Sequence, residues 1–210
     1  GGFTIDYVTD DGTAKNAGGD YNYASGTLTF VGTDAEEHSI TVVTVDDSYL
    51  ENAENFVVNL SGISNTLVDD TDNQGTATVD DNDDAALTVS DESVTEGGNM
   101  EFTVTLDNNV QGSFTIDYTT TDVSASSTSP EDYTAKTGTL NFSGTAGESK
   151  TISIATTNNT ILEPDETFEL NFSSISNTLV GYDAQAIGTI EDNDPATISL
   201  SGLTATEGDV

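Results

Sequence analysis

Apolar side chains recur at every second position along this chain, in short runs. Phe102, Val104 and Leu106 alternate with Thr103 and Thr105. Phe114, Ile116 and Tyr118 keep the same period, as do Leu140 and Phe142, Ile152 and Ile154, and Phe168, Leu170 and Phe172. A period of two places the apolar members on one face of a pleated strand. Threonine and aromatic residues suit such half-buried positions. Clusters of Gly, Asn and Asp separate the runs, as turns require. No apolar period of 3.6 of any length is present, so no helices are expected. About seven short strands in roughly 110 residues predict an all-β fold of antiparallel, immunoglobulin-like β-sandwiches.

The pattern is repeated. Phe3-Thr4-Ile5-Asp6-Tyr7 returns as Phe114-Thr115-Ile116-Asp117-Tyr118, and Asp20-Tyr21 as Asp132-Tyr133. Gly26-Thr27-Leu28 returns as Gly138-Thr139-Leu140. Ile63 to Val68 comes back unchanged at Ile175 to Val180. The copies lie 111 or 112 residues apart throughout. Val94-Thr95-Glu96-Gly97 matches Ala205-Thr206-Glu207-Gly208 at the same distance, which marks the opening of a third copy. Three segments are expected: 1–83, a repeat without its first strands; 84–194, a complete repeat; and 195–210, the first strand of a third. The junctions Asp83-Asp84-Ala85 and Asp194-Pro195-Ala196 carry no Gly/Ser run. Adjacent repeats of the same chain are therefore expected to be close neighbours.

Charge sharpens this picture. The 210 residues carry 38 acidic groups against three lysines, a formal net charge of −35, and only 34% hydrophobic residues. Composition of this kind also describes acidic disordered chains, but the ordered alternation argues for a folded one. Three lysines cannot build the basic face that nucleic acid needs. The longest apolar run is far short of a membrane span. Cysteine is absent, which excludes disulfides and thiolate metal sites. The single histidine, His38, has Lys150 as its counterpart, and nothing marks it as catalytic. We therefore expect no enzyme. Cations are the natural counter-ligands of so many carboxylates.

The acids are clustered. The first repeat carries Asp20, Asp46-Asp47, Glu51, Glu54 and Asp80-Asp81-Asn82-Asp83; the second carries Glu96, Asp132, Glu163, Asp165-Glu166 and Glu191-Asp192-Asn193-Asp194. All fall in turns or at strand ends. Alternate loops of a Greek-key sandwich share one end, where several clusters would meet. Calcium takes six to eight oxygen ligands from flexible loops. Transition metals prefer nitrogen and sulfur, which are missing here. Asp and Asn also favour turns without any metal. A further segment, Asp70-Thr71-Asp72-Asn73-Gln74-Gly75, opens like an EF-hand loop, but its twelfth position is Asp81 and no flanking helices are expected.

Asp20-Tyr21 followed by Gly26-Thr27-Leu28-Thr29-Phe30 resembles the Calx-beta repeat. So do the run from Val45 to Phe56, the closing Val79-Asp80-Asp81-Asn82-Asp83 and the opening Val94-Thr95-Glu96-Gly97. The resemblance covers essentially the whole chain. It implies a seven-stranded sandwich with Ca2+ bound at one end. Residue by residue, it implies Asp20, Asp46, Asp47, Glu51, Glu54, Asp81 and Asp83 as ligands in the first repeat. In the second it implies Glu96, Asp132, Glu163, Glu166, Asp192 and Asp194. Asn158-Asn159 stands where the pattern has an Asp pair, which lowers the charge and the number of ions expected in the second repeat. The cadence around Val110 to Tyr118, Phe142 to Glu148 and Gly188 to Asp194 is similar to repeats of SprB-type gliding-motility adhesins. That likeness implies a calcium-stiffened filament stalk on a bacterial cell surface, with a surface or glycan ligand at a distal tip. The alternatives are a calcium-sensing regulatory domain pair, or a module that binds a glycan or protein through its loops.

Overall fold

The computed structural model describes residues 1–69, 71–202 and 207–208. In chain order its strands are β1 (Phe3–Asp11), β2 (Ser25–Phe30), β3 (Tyr49–Leu50), β4 (Glu54–Ser61), β5 (Gln74–Val79), β6 (Ala86–Thr88), β7 (Glu92–Thr95) and β8 (Asn99–Leu106). They continue as β9 (Asn109–Val110), β10 (Phe114–Asp122), β11 (Thr137–Phe142), β12 (Ser149–Ala155), β13 (Glu166–Ser173), β14 (Gly181–Tyr182) and β15 (Gln185–Glu191). No helix is present among the described residues. The chain forms two units: residues 1–85 together with 108–112, and the remainder. The short segment containing β9 thus groups with the first unit, where Tyr49 and Leu50 pair in parallel with Asn109 and Val110.

The second unit has two sheets, β11-β10-β13-β15-β7 and β12-β8-β6-β14. Its pairings are antiparallel except β15–β7 and β14–β6. The alternation read from the sequence fills the space between the sheets. In β8, Met100, Phe102, Val104 and Leu106 are buried while Asn99, Glu101 and Thr103 are exposed. Ile152 and Ile154 of β12 and Phe168 and Leu170 of β13 are buried as well. Phe102 meets Phe168 edge-on, with centroids 6.2 Å apart, and Tyr133 stacks on Phe168 at 4.3 Å. Each such aromatic contributes about 1.5–3 kcal/mol through burial, so β8 and β13 carry much of this core.

The first unit repeats only one of the two sheets, in the order β2-β1-β4-β5. Tyr21 stacks on Phe56 at 4.3 Å, as Tyr133 does on Phe168. Residues 37–43, the counterpart of β12, form no ladder, and the neighbouring bridge Tyr21↔Thr44 matches Tyr133↔Thr156 of the second unit. In the second unit β12 is held by β8 along its whole length. The first unit has no described strand in that place, and backbone groups without a ladder partner do not build a strand. Its inner face is correspondingly open. Phe3, Ile5, Leu28, Phe30, Leu60, Ile63 and Val68 line a hollow of about 250 Å³, whereas the equivalent Phe114 and Phe142 are buried.

The expected strand in 195–210 does not form among residues 195–202, where Ile198 and Leu200 are exposed; Leu203 to Thr206, Asp209 and Val210 lie outside the described residues. Asp70 of the EF-hand-like segment is also outside them. Gln74 of that segment opens β5, so it feeds a strand and no helix follows.

Candidate metal centres

Antiparallel register decides which loops meet. Asp11, the last residue of β1, lies opposite Phe56, and Glu54 at the start of β4 lies opposite Val79 at the end of β5. The loop after β1, the entry to β4 and the exit from β5 therefore share one end of the sheet. That end collects Asp20, Asp46, Asp47, Glu51, Glu54, Asp81 and Asp83 around a hollow of about 40 Å³, with Asn52, Asp80 and Asn82 beside them. The second unit follows the same register, Asp122 opposite Phe168 and Glu166 opposite Ile190. Parallel pairing of β15 with β7 adds Glu96, whose N–H donates to the Glu191 carbonyl at 3.0 Å. Glu96, Asp132, Glu163, Glu166 and Asp192 line a smaller hollow of about 10 Å³, together with Thr157 and Asn159. Asp194 joins them through its approach to Glu96 and Asp192.

In the first unit, Asp20, Glu51 and Glu54 each place a carboxylate oxygen within 4.8 Å of the others; in the second, Glu96, Asp192 and Asp194 do the same. The two ion pairs formed by described residues, His38–Glu36 and Lys150–Glu148, involve none of these acids. The clusters are held by neutral donors instead. Glu51 N–H donates to Asp81 Oδ2 at 3.1 Å, Asn82 Nδ2 to Asp46 Oδ1 at 3.1 Å, and Gln111 Nε2 to Glu51 Oε1 at 2.9 Å. In the second unit Asn159 donates twice, from its N–H to Glu96 Oε2 at 3.3 Å and from Nδ2 to Glu163 Oε2 at 2.9 Å. Asn193 Nδ2 donates to the Glu96 carbonyl and to Asn158 Oδ1, both at 3.4 Å.

Crowding shows in the acid–base properties. Partial burial, then the charges of Asp47, Glu54 and Asp20, raise the Glu51 carboxyl above its ordinary value. Burial and Asp20 raise Glu54. Burial and then Asp81, Asp46 and Asp47 raise Asp83. Glu166 is pushed up to about 7 by burial, by the charge and hydrogen bond of Asp132, and by Glu163. Like charges gathered without a cation favour the protonated form.

Three oxygens test whether a cation suits this chemistry. Glu96 Oε1, Asp192 Oδ1 and Asp194 Oδ2 are buried and have no hydrogen-bond partner. An orphaned buried carboxylate oxygen is costly, and the same three residues each bring a carboxylate oxygen within 4.8 Å of the others. Their donor set is all oxygen, which matches a hard divalent cation of the calcium type. The acidic clusters can thus hold a metal ion. The sequence reading missed the donor role of Asn159 and the place of Gln111, which is far from Glu51 in sequence. It also missed Asp11 and Asp122, whose side chains tie down the loops that carry Asp20 and Asp132.

The Calx-beta domain model matches residues 1–92 and again 80–194. Sodium/calcium exchanger 1 of Bos taurus is 30% identical over 187 residues, covering 79% of this chain and 19% of the exchanger. The Rattus norvegicus protein is 31% identical over 185 residues, covering 78% and 19%. The chain thus spans about a fifth of the length of these relatives. Among solved structures, the apo form of the Calx CBD1 domain matches 53% of this chain and all of its own, with 21% identity and a TM-score of 0.47. CBD12 from CALX1.2 matches 90% of this chain and 87% of its own, with 22% identity and a TM-score of 0.43. The exchanger relatives correct the expected placement on a bacterial cell surface, because they are sodium/calcium exchangers of Bos taurus and Rattus norvegicus. Nor do they lend support to a gliding-motility adhesin. With both repeats matched by one model over nearly their whole length, the chain belongs to the Calx-beta domain family.

Proposed function

We propose that this chain is a calcium-binding regulatory module, in which each repeat takes up Ca2+ at its acidic end. The observation that carries the reading is that Glu96, Asp192 and Asp194 bring carboxylate oxygens within 4.8 Å of one another and each holds a buried oxygen with no hydrogen-bond partner. The names of the relatives, sodium/calcium exchangers, agree with it. Asp20, Asp46, Asp47, Glu51, Glu54, Asp81 and Asp83 would hold the ion in the first repeat; Glu96, Asp132, Glu163, Glu166, Asp192 and Asp194 would hold it in the second. A bound cation supplies the positive charge that these clusters lack. The residues themselves supply the response: repulsion among Asp20, Glu51 and Glu54 favours loops held apart, and its removal favours loops drawn together. Asn159 already satisfies Glu96 and Glu163 in part, so the second repeat has less to gain.

Calorimetric titration of the full chain with calcium, with magnesium as control, tests the reading. Uptake at Kd of about 10⁻⁷–10⁻⁵ M fits a sensor. At a hundredfold excess over Kd, calcium should stabilise the fold by about 2.7 kcal/mol relative to chelator. No heat and no shift in melting temperature would overturn it. The unchanged return of Ile63 to Val68 at Ile175 to Val180 favours a second reading, a spacer built from duplicated beads. Kd near 10⁻⁴–10⁻³ M, without compaction in small-angle scattering, would select that one.

A further inference from the structure

The loop that delivers Asp20 differs strongly from the loop that delivers Asp132. The first runs Gly12-Thr13-Ala14-Lys15-Asn16-Ala17-Gly18-Gly19; the second runs Val123-Ser124-Ala125-Ser126-Ser127-Thr128-Ser129-Pro130-Glu131 and is one residue longer. Both nevertheless close in the same way. Tyr21 Oη donates to Asp11 Oδ1 at 2.7 Å, and Tyr133 Oη donates to Asp122 Oδ1 at 2.5 Å. That same carboxylate oxygen accepts a backbone N–H five residues on, from Asn16 in one loop and Ser127 in the other, at 3.0 Å in each. The residue before each tyrosine is the candidate ligand. Its Oδ2 is tied to the loop backbone, Asp20 by Lys15 N–H at 2.5 Å and Asp132 by Ser126 N–H at 2.7 Å. The alanine shared by the two loops, Ala14 or Ala125, is buried in both.

Neither Asp11 nor Asp122 lines an acidic hollow. The tyrosine rings are fully buried against Phe56 and Phe168, and phenylalanine would fill that space equally well. What the hydroxyl adds is a fixed link between the core and the loop. Through it the loop, whatever its sequence, presents its aspartate in one orientation, with Oδ2 engaged by the loop backbone.

We propose that Asp11–Tyr21 and Asp122–Tyr133 are positioning pairs that set the cation affinity of the two sites by holding Asp20 and Asp132 in place. This rests on the calcium-binding reading above. Removal of an outer partner of a metal ligand typically weakens binding about 10- to 100-fold.

The test is calcium titration of the full chain at 25 °C for the unsubstituted protein and four variants: Tyr21→Phe/Tyr133→Phe, Asp11→Ala/Asp122→Ala, Asp11→Asn/Asp122→Asn, and the first two sets combined. Melting in chelator establishes that each is folded. The Phe and Ala pairs should bind about tenfold more weakly. The Asn pair, which keeps an acceptor oxygen, should stay within about threefold of the parent. The combined variant should lose no more than either pair, since both break the same link. Folded Phe variants with parental affinity, or losses that multiply in the combined variant, would overturn the proposal while leaving the calcium reading intact. No calcium uptake by the unsubstituted chain would overturn the calcium reading, and the positioning role with it.

Discussion

Changing Asp192 to Asn should have opposite effects on the two states of the second repeat. Asp192 shares its site with Glu96 and Asp194, whose carboxylate oxygens lie within 4.8 Å of its own. Two unit charges at that separation repel by ~0.9 kcal/mol even at the dielectric constant of water, and by ~3.5 kcal/mol at an effective value of about 20. The separation is shorter than the Debye length at ordinary salt, so screening removes little. Neutralising Asp192 relieves two such pairs, which gives a lower bound of about 2 kcal/mol in favour of the calcium-free fold. The new amide also brings hydrogen-bond donors to a site in which Glu96 Oε1 and Asp194 Oδ2 have no partner. For a domain of roughly 100 residues, each kcal/mol moves the melting temperature by roughly 4–8 °C. Differential scanning calorimetry in chelator should show the second unit melting roughly 8 °C or more above its parent. In calcium the order should reverse, because one charged ligand is lost and affinity falls more than about tenfold. If Asp192→Asn melts lower than the parent in chelator, the carboxylate is serving an internal structural partner, and the reasoning from crowded, cation-seeking acids is refuted.

Asn159→Asp should do the converse. It replaces the donor to Glu163 Oε2 with a repelling charge, so stability in chelator should fall by about 1–2 kcal/mol while calcium affinity rises about tenfold; a variant indistinguishable from its parent in both would remove Asn159 from the site. Gly188→Ala should cost about 1–3 kcal/mol by overpacking, because a Cβ there would lie 2.5 Å from Phe168 Cζ and 2.6 Å from Met100 Sδ; chemical denaturation reads the loss, and an unchanged midpoint would contradict the sandwich core as described. Glu148 is also informative. Burial tends to raise its carboxyl, but the Lys150 ammonium and the Ser143 hydroxyl and N–H outweigh it and hold it at about 2. A carboxyl lowered from an ordinary 4.5 stabilises the fold above that value and loses its contribution as pH falls toward 2. Between pH 5 and pH 2, roughly the window of that linkage, Glu148→Gln should therefore show a shallower loss of melting temperature than the parent. Equal slopes would remove Glu148 as a contributor. Because the pair is still partly exposed, the difference should stay below about 1 kcal/mol.

Much of the architecture was legible before any coordinates. A strict period of two leaves one face of each strand apolar, and a face of that kind must be covered, so Phe102, Val104 and Phe168 announced a sandwich. Repetition at 111 or 112 residues announced that it occurs twice. The acids were legible as a set, because Asp and Glu in turns at matching places in two copies stand out against an otherwise alternating pattern. Their biological setting was not legible. The likeness to bacterial adhesin repeats rested on cadence, which β-sandwich repeats share for reasons of turn chemistry, and the exchanger relatives displaced it.

Sequence by itself determined the strand faces, the repeat and the inventory of carboxylates, since these depend on local periodicity and composition. Tertiary structure decided the rest, because it depends on which ends of antiparallel strands coincide. Only the register of β4 with β5 and of β13 with β15 brings loops tens of residues apart to one end. Only the parallel pairing of β7 with β15 delivers Glu96 to Asp192, where each keeps a buried oxygen without a partner. Residues 37–43 show the same dependence from the other side. They alternate as well as β12 does, yet form no strand, because a ladder needs a neighbour as well as a pattern.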